Sequence, residues 1–120
     1  MNRPRIITFD CYGTLIDWNA GISQALIAEG ERQGFHTDRE TILNVYHDAE
    51  MQVQSGHYRT YREILELLEK EISTQLGWEV SASPGYLADS LPSWQPFVDS
   101  NRSLERLGAM GFELGILSNI

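Results

Sequence analysis

Residues 7–18 read ITFDCYGTLIDW: an apolar run breaks off at a single carboxylate, Asp10, and a Gly13-Thr14 pair follows at once. Residues 5–9 supply Ile, Ile, Thr and Phe, the composition of a strand buried on both faces of a parallel sheet. Asp10 is then expected at the carboxyl end of that strand, the end at which open parallel sheets receive ligands. A carboxylate so placed can act as a nucleophile, forming an ester or acyl phosphate that water later opens. Gly13 permits a tight turn beyond it. The N–H groups of that turn, with the Thr14 hydroxyl, are expected to receive an anion or developing negative charge.

Working outward, residues 18–33 carry Ile22, Leu26 and Ile27 on one face and stop at Gly34, which predicts a first helix. Thr37 with Glu40, and Thr60 with Glu63, have the spacing of capping boxes. The first opens a helix with the stripe Ile42, Val45, Tyr46, Ala49 and Val53. The second opens one with Tyr61, Ile64, Leu65, Leu68, Ile72 and Leu76, closed by Gly77. Ser83-Pro84 predicts a short helix through Leu91 that Pro92 closes, and PSWQPFVD (92–99) reads as a connector returning to the main body. A helix over 100–110 with Leu104 and Leu107 leads into a second strand over 112–117, which ends on Ser118-Asn119. The helix before it can supply the crossover that a parallel pair needs.

Taken singly, Asp10 would cap a turn, Thr14 would pack, and Ser118-Asn119 would merely close a strand. The joint order is more specific: strand, Asp-x-x-Gly-Thr, helical insert, strand ending in Ser-Asn. In this the chain resembles the haloacid dehalogenase superfamily, whose first motif is a strand followed by Asp-x-x-x-Thr and whose second is a strand ending in Ser or Thr. The resemblance implies an α/β fold with a Rossmann-like parallel-sheet core, here only its first two strands, formed by 1–18 and 93–120. A helical-bundle cap is inserted as 19–92. It also implies a chain that stops after the second motif, since a lysine and a further acidic loop expected beyond it are not in these 120 residues.

By resemblance, Asp10 is the nucleophile of a hydrolase. Phosphatases of the superfamily carry a second aspartate two residues later; Tyr12 stands there, and a phenol with a pKa of about 10 is a poor acid at neutral pH. The Tyr-Gly-Thr form looks like the 2-haloacid dehalogenase branch, which uses no metal. That implies hydrolysis of a small 2-haloalkanoate through an aspartyl ester. Asp10, Thr14, Ser118 and Asn119 are the implied catalytic set, with Ser118 on the substrate carboxylate and Asn119 near the departing halide. Cys11, Tyr12, Gly13 and His47 are the implied substrate contacts. His47, after Tyr46, takes the place of an arginine that follows a tryptophan in that branch. The alternatives are a Mg2+-dependent phosphatase of the same superfamily, and an inactive fragment or binding module.

Other residues carry less. Cys11 has no histidine near it in sequence and reads as a small packed hydrophobe. His36, His47 and His57 lack metal-pair spacing. Trp18, Trp78 and Trp94 suit packing more than a pocket, Asp17 suits a helix cap, and Glu63, Glu66, Glu69, Lys70 and Glu71 read as a solvated helix face.

A net charge of −8 with nine scattered Lys and Arg argues against nucleic acid as a partner, while leaving room for a small anionic substrate held locally. No apolar run approaches the roughly 18 residues of a membrane span. The 6–9 run is too short for a secretory signal, and the lone cysteine agrees with a reducing compartment, so a cytoplasmic home is expected. Exposed strand edges predict partner seeking, a homodimer being one form of it.

Overall fold

The structure is a computed structural model that describes residues 4–53, 56–80 and 84–118. The chain divides into two compact units, Met1–Trp18 with Trp94–Ile120, and Asn19–Ser93.

The second unit is helical: α1 (Trp18–Arg32, entering from the first unit), α2 (Arg39–Val53), α3 (Tyr61–Leu76) and α4 (Tyr86–Ser90). The bounds of α3 follow from its sequence. Thr60 Oγ1 accepts from the Glu63 N–H (3.2 Å), Glu63 Oε2 accepts from the Thr60 N–H (2.8 Å), and Gly77 ends the helix at φ +73°. Its stripe of Leu65, Leu68 and Ile72 is buried, and α3 packs against α2, whose Ile42, Tyr46 and Ala49 are buried too. The end of α1 is fastened to the segment after α3. Gln33 accepts from the Glu79 N–H (2.9 Å) and donates to the Glu79 carbonyl (3.2 Å), and Phe35 stacks on Trp78.

Three expectations for this unit need correction. The cap of α2 is Asp38, not Thr37: its carboxylate accepts from the Thr41 N–H at 2.8 Å. Asp38 directly precedes the first helical residue, so its side chain is the one that reaches the third helical N–H, and that bond holds its carboxyl below the usual range. The short helix begins at Tyr86 behind Gly85 (φ +83°), not at Pro84, and Ser83 lies outside the described residues. Glu69 is buried, not part of a solvated face. Its carboxylate accepts from the N–H groups of Gly85 (2.9 Å) and Leu87 (2.7 Å) and so supplies the first turn of α4 with acceptors.

Burial raises the Glu69 carboxyl above its ordinary value, although the two N–H bonds pull the other way. A folded value above the unfolded one means that the native state holds the proton more tightly. Stability from this group is therefore present below the unfolded value and is lost as pH rises through the raised folded value. The urea midpoint of wild type relative to Glu69→Gln should fall as pH rises from about 4.5 across that window; a pH-independent difference between the two proteins would refute the assignment.

The first unit holds β1 (Ile6–Phe9), α5 (Ser100–Ala109) and β2 (Glu113–Ile116). The strands are parallel and paired Ile6 with Glu113 through Phe9 with Ile116, and the Leu117 N–H extends the ladder to the Phe9 carbonyl at 2.8 Å. The strands are not buried on both faces as expected. Ile6 is 61% exposed, Ile116 63% and Leu117 74%. Burial on both faces needs a layer on each side, and among the described residues of this unit α5 is the one helix that packs on the sheet. No helix among the described residues is long and apolar enough to cross a membrane.

Candidate active site

Asp10 follows β1 directly and is exposed at its carboxyl end. The chain then turns so tightly that the Cys11 carbonyl receives the N–H groups of Thr14 (3.2 Å), Leu15 (2.8 Å) and Ile16 (3.1 Å), while the Ile16 carbonyl receives that of Gly13 (2.9 Å). The turn brings the Thr14 hydroxyl back to donate to Asp10 Oδ2 at 3.2 Å. Gly13 is required twice over. Its φ is +87°, and a Cβ built there would lie 2.8 Å from Trp18 Nε1.

The expectation that the turn's N–H groups face an anion is corrected for Gly13 and Thr14, whose N–H groups are occupied inside the turn. A loop closed by its own carbonyls has those donors directed inward. What this turn presents outward is the Asp10 carboxylate and the Thr14 hydroxyl.

Cys11 and Tyr12 are half-buried. Burial, and then the neighbouring Asp10 charge, push the Cys11 thiol up, which disfavours the thiolate. Burial also raises the Tyr12 phenol, and its ring meets Trp94 edge-on with centroids 5.8 Å apart. Ser118 stands half-buried just beyond β2, on the strand paired with the one that ends at Asp10; Asn119 lies outside the described residues. His47 belongs to the other unit. There its imidazole is half-exposed, 3.8 Å from the Glu50 carboxylate and edge-on to Tyr46.

Several supporting residues escape a reading by sequence. The buried Ser100 hydroxyl donates to the Leu15 carbonyl (2.7 Å), which also receives the Phe97 N–H (3.0 Å), while the Gln95 carbonyl receives the Asp17 N–H (2.9 Å). The connector around Trp94 is thus bonded to Leu15 and Asp17, directly after the 11–14 turn. A hollow of about 170 Å³ lies behind that turn, lined by Phe9, Thr14, Leu15, Ser100, Leu104 and Leu107 among others. The two prolines and the aromatics of 92–99 mark a connector in the sequence, but nothing local there names its partner.

Among solved structures, a defluorinating L-2-haloacid dehalogenase superposes on 97% of this chain with a TM-score of 0.77 at 20% identity. The chain has a haloacid dehalogenase-like fold. An L-2-haloacid dehalogenase from Xanthobacter autotrophicus, solved with chloropropionic acid covalently bound, matches 98% of the chain (TM-score 0.62, 21% identity). A putative phosphatase from Clostridium difficile matches 98% (TM-score 0.55, 19% identity). This haloacid dehalogenase-like chain covers 51%, 47% and 50% of those three chains, about half the length of each. No protein-family model and no curated protein matches the sequence.

Proposed function

We propose that the chain carries the nucleophile half of a hydrolase acting on a small 2-haloalkanoic acid. The observation that supports this best is the Asp10 carboxylate at the end of β1, with one oxygen held by the Thr14 hydroxyl and the other left for attack. In the first step that oxygen bonds to C2 of the substrate as the carbon–halogen bond breaks and the halide leaves with the electron pair. In the second, water adds to the Asp10 carboxyl carbon, the ester C–O bond at that carbon breaks, one water proton passes to the oxygen of the departing 2-hydroxy acid and the other to solvent, and the carboxylate is restored. Ser118, just beyond the adjacent strand, would receive the substrate carboxylate, with Asn119 near the halide. A neighbour solved with chloropropionic acid covalently bound fits a covalent route. The reaction would run in the cytoplasm and on free small anions.

The phosphatase neighbour motivates a second reading, magnesium-dependent hydrolysis of a phosphate ester. The residues here do not fit its acid step: Tyr12 stands where the second carboxylic acid is needed, and burial makes its phenol still less acidic. The deciding assay follows chloride release from 2-chloropropionate and phosphate release from p-nitrophenyl phosphate, each with and without EDTA. Chloride release that persists in EDTA is the expected result. Phosphate release that stops in EDTA would transfer the proposal to the second reading, and no turnover of either would leave a binding module.

A further inference from the structure

The chain leaves the first unit at Trp18 and re-enters it at Trp94. Both tryptophans are seated on the same turn. Trp18 lies against Gly13 so closely that a Cβ there would be 2.8 Å from its Nε1 and 3.1 Å from its Cδ1. Trp94, 6% exposed, holds Tyr12 edge-on at an interplanar angle of 80°. The turn's backbone closes on itself, with the Gly13 N–H on the Ile16 carbonyl, but little within it fixes the Thr14 side chain. Three N–H groups share the Cys11 carbonyl, and the Thr14–Asp10 hydrogen bond is exposed. An exposed bond of this kind is weakened by competing water and opposed by the rotamer freedom of both side chains. Two rigid aromatic planes supply the restraint that such a bond lacks.

We propose that Trp18 and Trp94 are positioning residues that grip the 11–14 turn at its two central residues, Gly13 and Tyr12, and hold the Thr14 hydroxyl on Asp10. Neither ring needs to touch substrate. Trp18 acts through the backbone of Gly13, and Trp94 through the ring of Tyr12. The grip matters to catalysis through the reading of Asp10 as nucleophile, on which it rests, but its existence is measurable without turnover.

The test uses the isotope-labelled full chain and its Trp18→Leu, Trp94→Leu and Trp94→Phe variants. The Thr14 χ1 rotamer is read from three-bond couplings to its Cγ, and amide exchange is followed at Gly13 and Leu15, with Leu68 and Ile72 of α3 as internal reference. Both Leu variants should move the Thr14 couplings toward rotamer-averaged values and speed Gly13 and Leu15 exchange by about tenfold or more, with α3 unchanged. Trp94→Phe, which keeps an aromatic edge for Tyr12, should restore most of the wild-type couplings. Unaltered Thr14 couplings in both Leu variants overturn the proposal, as does exchange that rises equally in α3, since the tryptophans would then support only the fold. Wild-type chain that releases no halide, while its Thr14 couplings still respond to Trp94→Leu, would remove the dehalogenase reading and leave the grip standing.

Discussion

Replacing Asp10 with asparagine is expected to abolish halide release from 2-chloropropionate, by more than about 10³-fold, while leaving the chain folded. The carboxamide is nearly isosteric, and its oxygen can still accept from the Thr14 hydroxyl that now donates to Asp10 Oδ2. Asp10 is exposed, so loss of its charge should alter stability by no more than about 0.5 kcal/mol. What the substitution removes is the anionic lone pair that attacks carbon in the proposed reaction. Steady-state halide release together with a urea transition separates the two effects. Retained turnover in a folded Asp10→Asn protein would place the nucleophile elsewhere, and Cys11 would be a poor substitute because burial still raises its thiol once the Asp10 charge is gone.

Gly13→Ala should destabilise the protein by about 2–4 kcal/mol. Two separate costs combine at this position. A left-handed φ of +87° disfavours any side chain, and the new Cβ would overlap the Trp18 indole, which has to shift. The costs can be separated by a cycle. In a Trp18→Leu background the overlap disappears and only the conformational part, about 1–2 kcal/mol, should remain. Equal costs for Gly13→Ala in both backgrounds, read from urea midpoints, would show that the indole does not press on the turn.

The parts of the fold that were legible in the sequence are those decided by local chemistry. The capping box of Thr60 and Glu63 and the left-handed Gly77 bound α3 from both ends, and both devices lie within a few residues of the helix they define. At α2 two adjacent residues, Thr37 and Asp38, can both cap, and only geometry chooses the one whose oxygen reaches Thr41. Glu69 was misread because it stands among surface acids, yet it lies four residues after Leu65 on the buried stripe. That spacing was the available signal. Its partners, the Gly85 and Leu87 N–H groups, are far along the chain. Strand burial was overestimated for a related reason: a β-rich apolar run states what a strand can bury, whereas the layers that cover it come from elsewhere. At the candidate site, the four-residue spacing of Asp10 and Thr14 was legible because a tight turn brings such residues together. The direction of the turn's N–H groups and the grip of Trp18 and Trp94 were not, since both depend on backbone torsion and on a return segment far along the chain.

The bond between the Asp17 N–H and the Gln95 carbonyl, with Ile16 paired antiparallel to Pro96, sets the chain's exit beside its return as the two legs of a hairpin. To the unit that carries Asp10, everything from Asn19 to Ser93 is then a hairpin loop, whatever it folds into. Closing such a loop costs entropy that grows only with the logarithm of its length. The gateway's hydrogen bonds join residues of the unit that carries Asp10 alone, so a change in the length of the insert falls on the loop side of that hairpin.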